Sequence, residues 1–599
     1  MCGSPTSWRW EEEKVLYWIL ALLCCVVLLP FLGLADFNTK GEPREAVVAL
    51  SMLQSGDWIL PVNNGGEMPY KPPLFHWLVA ICSWFTGGEV NEYSSRLPSA
   101  LSLIALTLGT FVFFRRRCGL HTAFVTALLT FTSLELHRAG MNTRVDMLLT
   151  ALTAGAVMSL YSWYMKGCRR VPWGAILLMS MATLTKGPVG VLVPCLVCGV
   201  FMLLRGMNFF KAALWMILWG VMSLIIPLCW YVAAYGRGGQ EFLDLVMEEN
   251  FGRMTSTMSY DSCVNPWPYN ILSLITGWIP WTLAALMSLA ALRRSDCRWN
   301  TTGIIPRLKA WLKSMKPVRL MALTAVTVIF VFYCFPQSKR SVYLMPLYPF
   351  MALFMTELLE WMGKRKKVLV QAFGDVIAGL GILLTAVFIA VKAGVVPDTL
   401  VDHGRHGAQN AAMLQALRDS GGFMVWLWTA CAPAAALLWW WLWRSRGETW
   451  RRLSAIAVTI CGIYMTLAGV WQPAVLNVRS AKPVARQITE LLAPQAQIYE
   501  LIGYAEFQAG DPVHFFELNF YMGDRIRNFV REHPRSGFLI VSDDDVRDYL
   551  PQLEQQGYRF MPVADTERPL MKLPSKVMAF ERSGADKPVT LTDMHPANQ

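Results

Sequence analysis

Residues 15–35 read VLYWILALLCCVVLLPFLGLA and contain no charged side chain. A helix needs roughly 20 mostly apolar residues to cross the hydrocarbon core of a bilayer. This stretch is therefore a candidate transmembrane helix. Three glutamates, Glu11, Glu12 and Glu13, precede it. Because acidic residues make a poor signal-peptide n-region, we expect an anchor that stays in the mature protein.

Similar apolar runs recur along the chain and bring the predicted spans to thirteen. They lie near residues 97–114, 120–137, 145–164, 172–185, 188–204, 212–235, 270–292, 318–335, 342–361, 368–396, 423–443 and 453–472. The short run at 172–185 breaks at Lys186-Gly187-Pro188, so 172–204 is either two spans or one kinked re-entrant pair.

The composition agrees with a membrane protein that crosses the bilayer many times. Of 599 residues, 54% are hydrophobic and only 16% are charged, whereas soluble domains carry about a quarter charged residues. This excludes a single soluble domain and a disordered chain. It also excludes a compact nucleic-acid binder, despite a net charge of +12.

The basic residues predict which side each loop faces. Leu74–Phe85 is only a dozen residues long, which suits an interfacial helix. If this segment does not span and the N-terminus is cytoplasmic, 26 of the 54 Lys and Arg fall in short inner clusters such as Arg115–Arg117. This is the positive-inside pattern. If Leu74–Phe85 did span, every later cluster would face outwards.

The tail after residue 472 changes character and reads as a soluble α/β domain on the outer side. Strand-like runs cover 497–502, 513–516, 537–541 and 577–580, and helical patterns cover 482–492 and 546–555. The predicted domains are therefore a membrane-spanning domain over 1–472, with a large outer loop at 36–96, and an outer domain over 473–599.

Ionizable residues gather at the predicted outer boundary of the membrane. Asp146 opens an apolar run, and Lys186 sits in a short break between two others. Charges at membrane depth are costly and usually line a cavity or a pathway. Cations there can hold the phosphate of a lipid, and a carboxylate can orient or deprotonate an acceptor hydroxyl. This favours a lipid-linked transferase over a transporter, which would place such residues near mid-bilayer within repeats.

Several motifs, in this order, resemble the GT-C superfamily of polyprenyl-phosphate-sugar transferases. That superfamily includes the bacterial aminoarabinose transferase of lipid A and the dolichyl-phosphate-mannose protein mannosyltransferases. The motifs are Gly41-Glu42-Pro43-Arg44-Glu45-Ala46, Ser55-Gly56-Asp57-Trp58, Tyr70-Lys71-Pro72-Pro73, Arg144-Val145-Asp146, Thr185-Lys186-Gly187-Pro188, Glu249-Asn250-Phe251-Gly252-Arg253 and Ser338-Lys339-Arg340-Ser341-Val342-Tyr343. The spacing between the second and third motifs is closest to the aminoarabinose branch.

The resemblance implies a fold and a set of roles. The fold is mainly α, with about thirteen transmembrane helices and a C-terminal α/β domain. The implied catalytic residues are Asp146 and Glu42. The implied substrate-binding residues are Lys71, Arg253, Lys186, Lys339, Tyr343 and Arg44, of which Lys71 and Arg253 match cations that hold the lipid phosphate.

Two departures from the family pattern affect these roles. The usual Asp-Glu pair reads Gly41-Glu42, so either Glu42 takes the role of the missing acid, or Asp146 acts alone, with Asp36 a distant third. The segment Asn265-Pro266-Trp267-Pro268 lacks the His that some relatives use near a metal. We therefore expect no required cofactor and no bound metal.

The function that follows is sugar transfer from undecaprenyl phosphate to an envelope acceptor such as lipid A. We expect an enzyme of the bacterial inner membrane, with its N-terminus in the cytoplasm, its tail in the periplasm and no nucleic-acid partner. Two alternatives stay open at this point. One is a protein O-glycosyltransferase with the same kind of donor, and the other is a lipid or solute transporter.

Overall fold

A computed structural model describes residues 5–252, 265–266, 268–292, 311–312, 314–403, 407–445, 447–501, 515–566 and 575–583. The chain forms two compact units. The first contains residues 1–35, 96–231 and 263–478, and the second contains residues 36–95, 232–262 and 479–599. Residues 36–95 cluster with the tail in the structure, and the division of the chain at residue 472 stays a prediction.

The first unit is built from helices. They are α1 (Pro5–Leu28), α4 (Glu92–Cys118), α5 (Leu120–Thr132), α6 (Leu134–Gly140), α7 (Val145–Met165), α8 (Trp173–Lys186), α9 (Val189–Leu204), α10 (Phe209–Met247), α11 (Pro268–Gly277), α12 (Trp281–Ser288), α13 (Pro317–Phe332), α14 (Tyr348–Arg365), α15 (Lys367–Lys392), α16 (Gly407–Asp419), α17 (Phe423–Leu438), α18 (Thr449–Thr466) and α19 (Gln472–Leu476). The first residues of α4 and the last residues of α10 belong to the second unit.

Eight helical segments in the described part of the chain are long and apolar enough to cross a membrane. They are Glu11–Phe31, Glu92–Cys118, Val145–Met165, Phe209–Asn250, Ser341–Arg365, Lys367–Lys392, Phe423–Trp443 and Thr449–Arg479. A pair bent by 100°, Pro268–Gly277 with Trp281–Ala291, makes a ninth if it counts as one span. The chain is thus a multi-pass membrane protein. Thirteen spans stay a prediction, because helices such as α5, α9 and α13 are shorter.

The break predicted at residues 186–188 is a reversal between two short helices. Gly187 has φ 79°, a backbone conformation that glycine adopts readily. α9 then returns against α8 so closely that a Cβ on Gly190 would lie 2.5 Å from the backbone carbon of Ala182. The two helices contain 14 and 16 residues, so each is about 21–24 Å long. This is shorter than a typical hydrocarbon core.

Polar side chains join helices within the first unit. The guanidinium group of Arg96 donates to the carbonyl oxygens of Leu32 at 2.8 Å and Ala35 at 2.6 Å. Ser180 of α8 donates to the carbonyl oxygen of Ser223 of α10 at 2.7 Å. Such bonds are common between membrane helices, where hydrophobic burial alone contributes little to association.

The second unit begins with two helices of the first outer loop, α2 (Gly41–Ser55) and α3 (Leu74–Phe85). Residues 74–85 were the predicted interfacial helix, and the helix has those bounds. α2 ends at Gly56, whose φ of 71° lets its N–H donate to the carbonyl oxygen of Met52. Asp57 then accepts from the N–H groups of Ile59 and Leu60. The Ser55-Gly56-Asp57 motif is therefore a helix stop and a turn.

The tail contributes a five-stranded mixed sheet. Its strands, β1 (Ile498–Leu501), β2 (Ile526–Asn528), β3 (Ser536–Ser542), β4 (Tyr558–Asp565) and β5 (Ser575–Arg582), lie in the order β2-β1-β3-β5-β4. The pairs β1–β2 and β1–β3 are parallel, and β3–β5 and β4–β5 are antiparallel. Of the predicted strands, 513–516 lies partly outside the described residues, and the helix Phe516–Tyr521 begins at its last residue.

Alternating residues of β3 fill two cores. Leu539 and Val541 face one cluster and Ile540 faces the other, as the period of a strand requires. The tail helices are α20 (Lys482–Leu491), α21 (Phe516–Tyr521), α22 (Phe529–Glu532) and α23 (Asp543–Gln555). The first two contribute to the core that contains Ile540, and the last two to the core that contains Leu539.

Asp524 joins the first outer loop to the tail inside the second unit. Its carboxylate accepts hydrogen bonds from the backbone N–H of Asn64 at 2.9 Å, from Ser51 at 2.8 Å and from the Asn519 amide at 2.8 Å. Its own φ is 59°, so the residue occupies the left-handed region. Because Asn64 and Asn519 are also buried, this is a polar core between two distant parts of the sequence.

Candidate functional site

Asp146 and Lys186 form an ion pair in the first unit. Asp146 lies in the first turn of α7, and Lys186 is the last residue of α8. A carboxylate is favoured at a helix N-terminus and an ammonium group at a C-terminus, because each complements the helix dipole. The side chains are 13% and 18% exposed, so the pair is largely but not fully screened from solvent.

Tyr343 completes this cluster. It lies in the 3-10 helix Ser341–Leu347, and the ammonium nitrogen of Lys186 is 4.4 Å from the centre of its ring. The ring of Tyr333 lies next to it, with the ring centres 5.5 Å apart. A cation over an aromatic face is stabilised by the negative potential of the ring. Three residues predicted from separate motifs therefore meet in space.

Lys339 lies just before the same 3-10 helix and is 6% exposed. Its carbonyl oxygen accepts from the side-chain amide of Asn265 at 3.1 Å. Its ammonium group forms no ion pair with any residue in the described part of the chain. A buried cation without a counter-charge is costly, which fits its predicted role as an anion ligand.

Glu135 was not singled out from the sequence, although its environment is that of a site residue. Its carboxylate accepts from Arg138 at 2.9 Å and from the hydroxyl of Ser341 at 2.9 Å. The same α6 helix carries His137, which stacks on Tyr464 with 3.9 Å between ring centres. His137 is buried, so this imidazole has a packing role.

The second unit holds a separate polar cluster around Glu45. One carboxylate oxygen, Oε1, pairs with the ammonium group of Lys71 and lies 3.6 Å from Arg44, and the other, Oε2, lies 3.0 Å from Nε2 of His76. Burial opposes the charged carboxylate, but Lys71, His76 and Arg44 outweigh it and hold the pKa of Glu45 well below its usual range.

Glu42, the acid that was predicted from this loop, lies on helix α2 together with Arg44 and Glu45. Glu42 is in the first turn of α2 and is 2% exposed. Gly41 begins the helix, and a Cβ there would have no atom within 4 Å. The structure thus brings Arg44 and Lys71 together around a carboxylate, Glu45, that the sequence did not select. Arg253 lies outside the described residues.

We find no candidate metal centre in the residues that the structure describes. No group of three or more His, Cys, Asp and Glu side chains in these ranges is arranged to hold an ion.

Sequence comparisons connect the chain to sugar transferases. Residues 70–231 match a family model described as dolichyl-phosphate-mannose-protein mannosyltransferase. An uncharacterized protein of Aquifex aeolicus is 27% identical over 58% of this chain and 65% of its own length. The undecaprenyl phosphate-alpha-4-amino-4-deoxy-L-arabinose arabinosyl transferase of Shewanella sediminis is 26% identical over 53% of this chain and 55% of its own length. The chain thus spans less than two thirds of these relatives.

Solved structures match over almost the whole chain. The crystal structure of ArnT from Cupriavidus metallidurans bound to undecaprenyl phosphate aligns with a TM-score of 0.66 at 20% identity, covering 96% of this chain and 98% of that one. The apo structure of the same protein aligns with a TM-score of 0.64 at 19% identity and the same coverage. At this identity the likeness shows the fold. The chain is therefore similar to sugar transferases that use polyprenyl-phosphate donors, in fold over almost its whole length and in sequence over part of it.

Proposed function

We propose that this protein transfers a sugar from undecaprenyl phosphate to an envelope acceptor such as lipid A, on the periplasmic side of the bacterial inner membrane. The observation that carries the proposal is the Asp146–Lys186 pair with the ring of Tyr343 against it. Ionizable side chains at membrane depth are energetically costly, and those that are present usually belong to a functional site. The names of the relatives make 4-amino-4-deoxy-L-arabinose the first donor sugar to assay.

The acceptor side of the reaction is assigned to Asp146. The acceptor oxygen attacks the anomeric carbon, the bond from that carbon to the phosphate oxygen breaks, and its electron pair stays on the phosphate. An in-line displacement of this kind inverts the anomeric centre. Asp146 orients the acceptor and takes up the proton that an acceptor hydroxyl loses as its oxygen attacks. Glu42 remains the second candidate.

The leaving phosphate is assigned to cations. Lys71 and Arg44 meet at one carboxylate in the second unit, and Lys339 is a buried cation in the first. Arg253 belongs to this set by its motif. Fixed positive charges that face a developing negative charge are usually the largest contribution to such catalysis. An activated donor and protein cations make a nucleotide and a divalent metal unnecessary.

The composition of the second unit supports the proposed topology. Loop 36–95, segment 232–262 and the tail are all predicted to lie outside the membrane on one side, and they belong to one compact unit. Segments that pack together must share a side of the membrane. The thirteen predicted spans place six between the first two segments and six between the second and the tail. An even number returns the chain to the same side each time.

Reconstitution tests the proposal directly. Purified protein in nanodiscs would receive undecaprenyl-phosphate aminoarabinose and lipid A, and mass spectrometry would follow the sugar. We expect lipid A to gain one aminoarabinose and undecaprenyl phosphate to appear. Asp146→Asn should stop transfer, with Asp398→Asn as the control, since Asp398 is 61% exposed and pairs with Arg418. Transfer by Asp146→Asn at the wild-type rate would contradict the assignment.

A protein acceptor is the second candidate, because the matched family model is named for protein mannosyltransferases. Mass spectrometry of lipid A and of envelope proteins from a deletion strain distinguishes the two. Loss of a sugar from lipid A supports the lipid acceptor, whereas loss from proteins alone favours the second candidate.

A further inference from the structure

The cluster around Glu45 is layered from the protein interior outwards. The side chain of His76 is 1% exposed, Glu45 6%, Lys71 14% and Arg44 37%. The imidazole is therefore the most buried group, the carboxylate is slightly more exposed, and the two cations are the most exposed. Lys71 and Arg44 are therefore the members of this cluster that solvent reaches most.

His76 is the most buried partner of the Glu45 carboxylate. Its Nε2 lies 3.0 Å from Oε2 of Glu45. Its Nδ1 is buried and has no hydrogen-bond partner within the described ranges. Because a carboxylate accepts, Nε2–H is the donor, which sets the imidazole tautomer. Glu45 and His76 come from helices α2 and α3, so the bond also joins these helices.

Two permanently charged cations lie against Glu45. Lys71 and Arg44 both contact Oε1 of its carboxylate. The ring of Tyr70 flanks both of them, with its centre 5.3 Å from the Lys71 nitrogen and 5.8 Å from the Arg44 guanidinium carbon. The ring restricts the movement of both cations, and because it is uncharged it neutralises neither of them.

We infer that Glu45 is a positioning residue: held by His76, it fixes the ammonium group of Lys71 where this group meets the phosphate of a bound lipid. The inference rests on the proposed function. The ligand chemistry is a lipid phosphate, which the donor and a phosphorylated lipid acceptor both carry. Glu45 also competes with that phosphate for Lys71, so it sets the geometry at some cost in affinity.

This double role predicts an unusual kinetic signature for Glu45→Gln, which keeps the size of the side chain and removes its charge. kcat should fall by about 100-fold, the loss expected for a misplaced catalytic cation. Affinity for undecaprenyl phosphate should stay the same or rise, because the competing charge is gone. Lys71→Met should instead weaken binding. Glu490→Gln is the control, since that glutamate is 73% exposed and pairs only with Arg486 among the described residues.

The experiment measures kcat for sugar transfer, Kd for undecaprenyl phosphate and Tm on the same nanodisc samples. A wild-type kcat for Glu45→Gln would overturn the inference. So would weaker binding together with a lower Tm, because a merely structural residue gives that result. If Glu45→Gln fails to fold, Glu45→Asp decides: it keeps the charge, and it should bind the lipid normally with a reduced kcat. A normal kcat for that variant would also overturn the inference.

Two binding arms identify the source of the phosphate. Lys71→Met is titrated with undecaprenyl phosphate and, separately, with lipid A that carries or lacks its phosphates. Weaker binding in the first arm assigns the subsite to the donor, and weaker binding only to phosphorylated lipid A assigns it to the acceptor. Unchanged binding in both arms overturns the inference. If wild-type protein transfers no sugar, the proposed function fails, while the affinities of Lys71→Met and Glu45→Gln still decide the phosphate subsite.

Discussion

The ammonium group of Lys186 lies on the carboxylate of Asp146, 40 residues earlier in the chain, and so ties the end of α8 to the beginning of α7. Each partner sits where the dipole of its own helix favours its charge. The pair therefore places a carboxylate at the predicted outer end of two membrane helices.

Removing the cation of this pair should affect stability as well as activity. Lys186→Met leaves the Asp146 carboxylate largely buried without its counter-charge, which costs about 3–5 kcal/mol when a buried pair is broken. Partial exposure of both groups puts the expected loss at the lower end of that range. Chemical unfolding in detergent measures it, and Lys186→Arg is the control, because it keeps the charge. Equal stability of Lys186→Met and wild type would show that solvent already screens the pair.

The Tyr343 ring should matter more than its hydroxyl for the position of Lys186. Tyr343→Phe keeps an aromatic face at 4.4 Å from the ammonium group, whereas Tyr343→Leu removes it. The loss of a cation–π contact is expected to cost about 0.5–2 kcal/mol. We therefore expect transfer rates close to wild type for Tyr343→Phe and several-fold lower for Tyr343→Leu. Identical rates for the two variants would argue against a role for the ring.

Acid should weaken the second unit in part through Asp57. Burial opposes its charge, but the N–H groups of Ile59 and Leu60 and the guanidinium of Arg237 outweigh it and lower its pKa. Since the folded pKa is below the unfolded one, the stabilisation is complete at neutral pH. It is lost as the pH falls below the ordinary aspartate value through the folded pKa. Tm from pH 7 to pH 3 should fall less steeply for Asp57→Asn than for wild type, and parallel curves would contradict this.

The contact of the first loop with the tail should depend on Asp524. Asp524→Gly keeps the left-handed backbone and removes three accepted hydrogen bonds from Asn64, Ser51 and Asn519. Each buried donor left without a partner costs about 1–3 kcal/mol. Limited proteolysis should cut the tail faster in this variant. Asp524→Asn retains one carbonyl oxygen and tolerates the same backbone, so its cleavage rate should lie between those of wild type and Asp524→Gly. Cleavage of Asp524→Gly at the wild-type rate would show that this contact does not stabilise the tail.

The α8–α9 hairpin should tolerate no side chain at Gly190. A Cβ there would lie 2.5 Å from backbone atoms of Ala182 and Thr183, whereas one at Gly109 would meet nothing within 4 Å. Overpacking of this kind typically costs about 1–3 kcal/mol. Gly190→Ala should therefore lower Tm in detergent, and Gly109→Ala should leave it unchanged or raise it slightly. A Tm for Gly190→Ala equal to that of Gly109→Ala would show that the helices can separate at no cost.

The candidate site was only partly predictable from the chain. Asp146, Lys186 and Tyr343 were selected from three separate motifs, and the structure places them in one cluster. Glu45 was present in the first motif but was not selected, because Glu42 matches the second member of the family's acidic pair. Only the packing of α3 against α2 brings His76 and Lys71 to Glu45. The roles of all these residues remain predictions.

The sequence by itself determined the multi-pass membrane class, the bounds of the helix at 74–85, the mainly helical fold and the small α/β tail. These features follow from apolar run length and local periodicity, which act between neighbours in the chain. The tertiary structure alone decided that residues 36–95 join the tail in one unit and that Asp524 bonds to Asn64. It also decided which carboxylate receives Lys71. Asp524 and Asn64 are 460 positions apart and Lys71 and Glu45 are 26 apart. Both contacts depend on side-chain fit and charge pairing, which no local pattern encodes.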